Sequence, residues 1–251
     1  MTEIEFHPRL IEALRAARRV AVLTGAGISA ESGVPTFRDA QTGLWSEYKP
    51  EDLASPEAFQ RNPKLIWDWY AMRRARMAEV QPNPAHYALV DMARQVPEFT
   101  LVTQNVDNLH WKAGSPQVIE LHSNLGRVRC SRDGQFVETW EEGEEVPRCP
   151  RCGAYLRPDV IWFGEQLPLD ALEQAVQAAR TCAIFLSIGT SGVVQPAASL
   201  AYAAKNRGAA LVEVNPELTP LSQKADFVLT GKAGEVLPAL VEKTWGNSRK
   251  K

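Results

Sequence analysis

Five short apolar runs, rich in β-branched residues, recur along this chain with helix-like stretches between them. The runs are RVAVLTG (19–25), FTLVTQN (99–105), CAIFLSIGT (182–190), AALVEVN (209–215) and ADFVLTG (225–231). Continuous apolar runs of this kind are covered on both faces, as strands of a parallel sheet are. Amphipathic segments at 169–180 and 197–208 read as helices, the second closed by Gly208. A further helix is expected over 63–80, PKLIWDWYAMRRARMAEV. Strand–helix–strand alternation predicts an α/β fold built on a Rossmann-like doubly wound parallel sheet.

Two stretches interrupt that alternation. Residues 127–157 are polar, contain DG and EEGEE, and hold three of the four cysteines, Cys130, Cys149 and Cys152. Residues 36–98 lack strand runs and read as loop plus helices. The expected division is a Rossmann-like cofactor domain from 1–35, 99–126 and 158–251, a loop and helical lobe over 36–98, and a small zinc-ribbon-type insert over 127–157. A net charge of -2 and a pI near 6.1 provide no basic field for nucleic acid. No apolar run reaches the roughly 18 residues of a spanning helix, and the first residues have no signal-peptide pattern. No membrane partner is expected. Clustered cysteines point to metal in a reducing compartment more than to disulfides, so a cytoplasmic location is expected. Oligomeric state is left open, and a monomer is compatible with the sequence.

The first run leads into Gly25-Ala26-Gly27-Ile28-Ser29-Ala30. Gly25, Gly27 and Ala30 fit G-x-G-x-x-G/A, which lets backbone approach a pyrophosphate beside a helix N-terminus. A tight strand-to-helix turn would give the same letters. The acidic ribose partner of an ordinary dehydrogenase is missing, because Glu47 has no strand leading to it. At the end of the second run lie Gln104, Asn105 and Asp107. Their amides and carboxylate match the donors and acceptor of a carboxamide, while an Asx-rich turn is the plainer reading. His122 follows QVIEL and is the best available general base, although a lone histidine there is more often structural. Cys149-Pro-Arg-Cys152 has the spacing of a tetrahedral zinc knuckle; beside Cys130, a matching knuckle would place Asp133 as fourth ligand. A ribbon held by packing alone remains the other reading. Cys182 opens an apolar run and reads as core.

Taken in order, GAGISAESGVPTFR, TQNVDNLH, ELHSNLGRVRC, CPRC, LRPDVIWFGE, GTSGVVQP, EVN and a last G-x-A resemble the sirtuins over roughly residues 19–240. Within that family the likeness is to bacterial members of the desuccinylase branch, with Thr36 before the Phe-Arg pair. The resemblance implies NAD bound between a Rossmann domain and a small zinc domain. It implies cofactor contacts from Gly25, Ala26, Gly27, Ile28, Ala30, Phe37, Arg38 and Trp45. Gln104, Asn105 and Asp107 would line the ribose and nicotinamide pocket. Gly189, Thr190 and Ser191 would face phosphates and adenosine, with Asn215 at the adenine ribose and Ala233 at the adenine. His122 would be the general base. The implied reaction joins the acyl-lysine oxygen to the nicotinamide ribose and yields nicotinamide, free lysine and 2′-O-acyl-ADP-ribose. Protein ADP-ribosylation from the same NAD cleavage is the alternative.

The same resemblance implies that Val160, Phe163 and Gly164 pair with substrate backbone. Tyr70 and Arg73, spaced i, i+3, form the Y-x-x-R signature of enzymes that remove acidic acyl groups, and Ala40 would widen the acyl pocket. The partners are therefore acylated lysine side chains of proteins, and the cofactors NAD and Zn²⁺. Four positions depart from the family pattern. Ser123 and Asn108 stand where glycine is frequent, Gly126 where an aromatic is common, and Asp133 where a cysteine is usual.

Overall fold

All five apolar runs form strands in the computed structural model, which describes residues 4–34, 49–141 and 143–246. The strands are β1 (Arg19–Thr24), β2 (Glu98–Thr103), β3 (Ile119–Glu120), β4 (Ser123–Cys130), β5 (Leu156–Val160), β6 (Ile184–Ile188), β7 (Ala210–Asn215) and β8 (Phe227–Thr230). Six build one parallel sheet in the order β3-β2-β1-β6-β7-β8. Chain order reverses at β1, between β2 and β6, and in such sheets ligands bind beyond the carboxyl ends at that switch point. The two-residue β3 is too short to show in the hydropathy pattern.

The helices are α1 (Pro8–Ala16), α2 (Pro50–Leu53), α3 (Pro56–Arg61), α4 (Pro63–Glu79), α5 (Pro84–Gln95), α6 (Leu109–Lys112), α7 (Leu169–Thr181), α8 (Ser199–Lys205) and α9 (Ala233–Trp245). Strand residues alternate between two cores because successive side chains leave opposite faces. Val20 and Val22 join Leu14, Leu89, Met92 and Leu237 under α1, α5 and α9. Ala21 and Leu23 join Phe185, Ala179 and Leu200 under α7 and α8. Thus α5 belongs to the sheet, and the stretch expected as one lobe over 36–98 divides. α2, α3 and α4 form the lobe, around Phe59, Ile66, Trp69, Tyr70 and Trp162.

Capping marks where these helices start. Ser55 accepts from Ala58 N, Asn62 from Leu65 N and Asn83 from Ala85 N, each just before a proline at the first turn. α8 begins later than its amphipathic pattern, at Ser199, and Gly208 follows it at φ 87°.

The second sheet pairs β4 with β5 antiparallel and spans 123–160, wider than the cysteine-rich insert alone. Its register slips. Ser123 faces Val160 and Val128 faces Pro158, so residues 124–127 stand opposite Asp159 alone. Such a bulge bends a strand and re-aims its side chains. Here it brings Leu125 N to Val106 O at 2.9 Å. Among the described residues no helix is long and apolar enough to cross a membrane.

Candidate active site

Glycine is required where β1 and β6 end. A Cβ on Gly25 would lie 2.8 Å from Gly189 O, and one on Gly27 would lie 2.7 Å from Gly189 Cα. Gly189 itself has φ 59°, and a Cβ there would meet Ile28 N at 2.4 Å. Gly27 N donates to Gly189 O at 2.8 Å, which locks the two turns together. The glycine pattern here makes a tight turn at a strand end, and its close approach is between two backbones. Among the described residues no α-helix follows the motif directly. Two 3-10 turns replace it, over Ala26–Ile28 and Ala30–Ser32. Ala30 opens the second, and Glu31 beside it accepts from Gly234 N at 2.7 Å, capping α9 next to Ala233.

The amide cluster sits at the end of β2. Gln104 Nε2 donates to Thr190 Oγ1 at 3.1 Å, and Asn215 Nδ2 donates to Thr190 O at 3.2 Å. Ser191 follows Thr190 in the same turn. Asn105 Nδ2 donates to Gly25 O and to Ser29 Oγ at 3.1 and 3.2 Å. Asp107 is buried; its Oδ2 accepts from Ser29 Oγ at 2.6 Å and its Oδ1 from Leu109 N at 3.0 Å. The second bond makes an Asx turn, the plainer of the two readings. Burial pushes the Asp107 carboxyl above its usual range, against the lowering by these hydrogen bonds.

Behind this cluster lies a buried polar layer whose site role the sequence did not disclose. His86 Nδ1 accepts from Asn83 N at 3.3 Å, leaving Nε2–H for Ser29 Oγ at 3.5 Å. His110 Nε2 lies 2.9 Å from Thr24 Oγ1, and the two imidazoles are 4.9 Å apart. Burial lowers the His86 pKa to about 4 and the His110 pKa to about 3, so both are neutral near pH 7. The only local signal for Ser29 was its place inside the glycine-rich motif.

His122 stands between the two sheets. Its Nδ1 is 2.8 Å from Gln104 O. A carbonyl only accepts, so Nδ1 carries the proton and Nε2 keeps a lone pair. Ile161 N donates to His122 O at 3.2 Å, fixing the backbone as well. Burial lowers the imidazole pKa, and the Gln104 bond opposes this. The neutral form is thus the resting form at neutral pH, as a base must be. Ser123 and Asn108 are the two non-glycine residues with positive φ among those described, at 62° and 66°. Glycine would take this backbone without strain. Asn108 is one of the few residue types that tolerate it, and its Oδ1 accepts from Asn124 Nδ2 at 3.0 Å.

Tyr70 and Arg73 lie near Trp162 and the end of β5. Tyr70 Oη accepts from Trp162 Nε1 at 3.0 Å, so its own proton is left for another acceptor. Burial raises its pKa to about 12 despite nearby Arg73. The Arg73 guanidinium stacks 4.7 Å from the Trp69 ring centre. Among the described residues no hydrogen bond or ion pair engages it, and burial lowers its pKa. Val160 is buried at the end of β5, Phe163 is half exposed, and Phe163 N donates to Ala54 O at 2.9 Å. Gly164 has φ 84°. Phe37, Arg38, Ala40, Trp45 and Thr36 lie outside the described residues.

The sulfurs of Cys130, Cys149 and Cys152 lie within 4.8 Å of one another, with Cys130 and Cys152 at 3.5 Å. Sulfurs on a zinc tetrahedron with Zn–S of about 2.3 Å are about 3.8 Å apart, so the cluster fits. All four cysteines are free thiols. Asp133 is not in that cluster; its Oδ1 accepts from Gln135 N at 3.0 Å and faces Arg151 Nη2 at 3.5 Å.

Fold and site define a nucleotide-binding α/β enzyme with a neutral histidine, His122, at the seam of two lobes. The Sir2 family description matches residues 25–196, more than half of the chain, and the chain belongs to that family. An NAD-dependent protein deacylase of Ralstonia nicotianae is 53% identical over 235 residues, covering 91% of this chain and 93% of its own. A solved Sir2 homologue in complex with NAD superposes with TM-score 0.90 at 44% identity, covering 97% of this chain and 96% of its own. Sir2Af2 bound to a myristoylated histone peptide matches with TM-score 0.74 at 36% identity, covering 94% of each chain.

Proposed function

We propose that this chain is an NAD-dependent protein-lysine deacylase in which His122 is the general base and Arg73 with Tyr70 selects acidic acyl groups. The observation that supports it most is the tautomer of His122, locked by Gln104 O with Nε2 free. When bound, NAD supplies a ribose carbon that gives up nicotinamide and takes the acyl oxygen. His122 Nε2, with its lone pair free, would accept a proton from a ribose hydroxyl. Gln104, Asn105 and the Asp107–Ser29 pair form a fixed polar wall at the strand ends, suited to a ribose and a carboxamide. Gly189, Thr190, Ser191, Asn215 and Ala233 lie around the neighbouring turn and helix start, on the side assigned to phosphate and adenosine. Val160, Phe163 and Gly164 would pair with substrate backbone, a sequence-blind mode that suits many protein partners. The three thiols would hold zinc away from this chemistry, with Asp133 turning in as fourth ligand. Free thiols throughout also suit a cytoplasmic setting.

The acyl preference rests on a desolvated guanidinium that, among the described residues, contacts rings but makes no hydrogen bond or ion pair, beside a phenol with a free proton. A buried carboxylate needs both charge and hydrogen bonds. Arg73→Met should cut kcat/KM for a succinyl-lysine peptide at least about 10-fold, mostly through KM, given about 1.5–3 kcal/mol per charged hydrogen bond. Turnover of the acetyl peptide should hold. Equal losses on both peptides would reassign Arg73 to folding. The reaction itself is tested by incubating the protein with NAD and acyl-lysine peptides and weighing the products. Free lysine with acyl-ADP-ribose supports deacylation, whereas ADP-ribosylated protein without it would select the transferase reading.

A further inference from the structure

The register slip in the small sheet leaves four β4 residues facing one residue of β5, Asp159. That carboxylate is only 2% exposed. Arg127, the last residue of the bulge, donates through Nε to Asp159 Oδ2 at 2.8 Å and through Nη2 to Glu120 Oε2 at 2.6 Å. Glu120 lies on β3, two residues before His122. Its Oε1 accepts from Trp111 Nε1 at 2.9 Å and Asn124 Nδ2 at 2.7 Å. The Phe136 ring sits 5.4 Å from the guanidinium.

We propose that Arg127 is a positioning residue for deacylation, tying the segment that carries His122 to the strand that receives the acyl-lysine. Each end of the tie has partners besides Arg127, since Glu120 accepts from Trp111 and Asn124, and buried Asp159 also faces Arg129 Nη1 at 3.7 Å. The guanidinium bonds two carboxylates through separate nitrogens in a fixed planar geometry, which one ammonium cannot reproduce. Burial alone would lower the Arg127 pKa, but its hydrogen bond to Asp159 and the charge of Glu120 raise it. The clamp joins β3 of the large sheet to β5 of the small one, so it braces, beside the Ile161 N to His122 O bond, the placement of the base against Val160. Loosening it should harm peptide engagement while leaving the cofactor wall, built on β1, β2 and β6, untouched.

The inference rests on His122 as base and β5 as substrate strand. Wild type, His122→Ala, Arg127→Met and Arg127→Lys are compared with NAD and an acetyl-lysine peptide. Arg127→Met should raise the peptide KM and lower kcat/KM at least about 10-fold, as for loss of a part-buried charged pair. Its Kd for NAD should stay within about 2-fold, and Arg127→Lys should fall between it and wild type. A kcat/KM within about 2-fold of wild type in Arg127→Met, or an equal loss of NAD affinity, overturns the proposal. If the Met variant does not fold, the Lys variant decides. Its peptide KM must rise at least about 3-fold with NAD binding unmoved, and an unchanged KM overturns the clamp. An active His122→Ala refutes the reading beneath it, whereas an inactive one beside an unaffected Arg127→Met refutes only the clamp.

Discussion

The large sheet and the small cysteine lobe hold their functional groups by different means. Around the large sheet, two apolar clusters on opposite faces fix the strands, and the strand ends then carry Gln104, Asn105, Gly189 and Asn215. Among the described residues, the small lobe has only Trp67, Val128, Cys130, Val137, Val146, Cys149 and Leu156 as its buried core. So few residues cannot hold a lobe by burial alone, and small units add metals or charge pairs. Three thiols stand at one end of it, and the Glu120–Arg127–Asp159 chain at the other. Packing positions the strand ends proposed for the cofactor; a thiol cluster and charge pairs stand on the side proposed to meet substrate. His122 takes its ring anchor from the first and its backbone anchor from the second.

The largest expected effect is on the lobe. About one zinc per chain should be found, and Cys149→Ser should abolish binding and deacylation, because metal affinity here is folding energy. NAD binding should outlast the lobe in a chelator titration. Joint loss of both would show that the two regions are one energetic unit. Asp133→Ala should weaken zinc affinity, and an unchanged affinity would pass the fourth position to another ligand.

At the seam, His122→Ala should cost at least about 100-fold in turnover, the low end for a general base. Circular dichroism and NAD binding should be retained. Because burial lowers its pKa, the acidic limb of kcat/KM should fall below about pH 6.5, the ordinary imidazole value. A limb above that value would mean that another group titrates.

Acid should act on the large domain through His86 and His110. Unfolded imidazoles take protons near pH 6.5, while the buried ones resist until about 4 and about 3. The unfolded state therefore holds more protons in that window, and stability present above pH 6.5 falls as pH drops. His86 alone should remove about 3 kcal/mol by pH 4. Denaturant midpoints at pH 7, 5.5 and 4.5, with the two imidazoles followed by NMR, would check this. Flat stability, or titration of either ring near 6.5, would contradict it.

The smallest effect separates the two strained positions. Ser123→Gly relieves a left-handed residue and should raise stability by up to about 1 kcal/mol. Asn108→Gly gives up the Asn124 bond and should gain nothing. Equal gains would mean that the Asn108 side chain contributes no hydrogen bond of value.

Five strands, the main helices and the cysteine knuckle were legible from residue order, because apolar period and C-x-x-C spacing are local properties. The glycine motif was legible as a tight turn at a strand end. What it turned against was not, since Gly189 is more than 160 residues away along the chain. Residue type alone marked His122 as the best available base, and motif order indicated the family and with it Tyr70 and Arg73. Three things were decided only by tertiary structure. The tautomer of His122 depends on Gln104 O. The buried His86–His110 layer forms because α5 packs on the sheet face. The Arg127 tie exists because the β4–β5 register slips at Asp159. Periodicity records which face a residue turns to the core, but hydrogen bonds between distant elements follow from register and packing, which only the folded chain fixes.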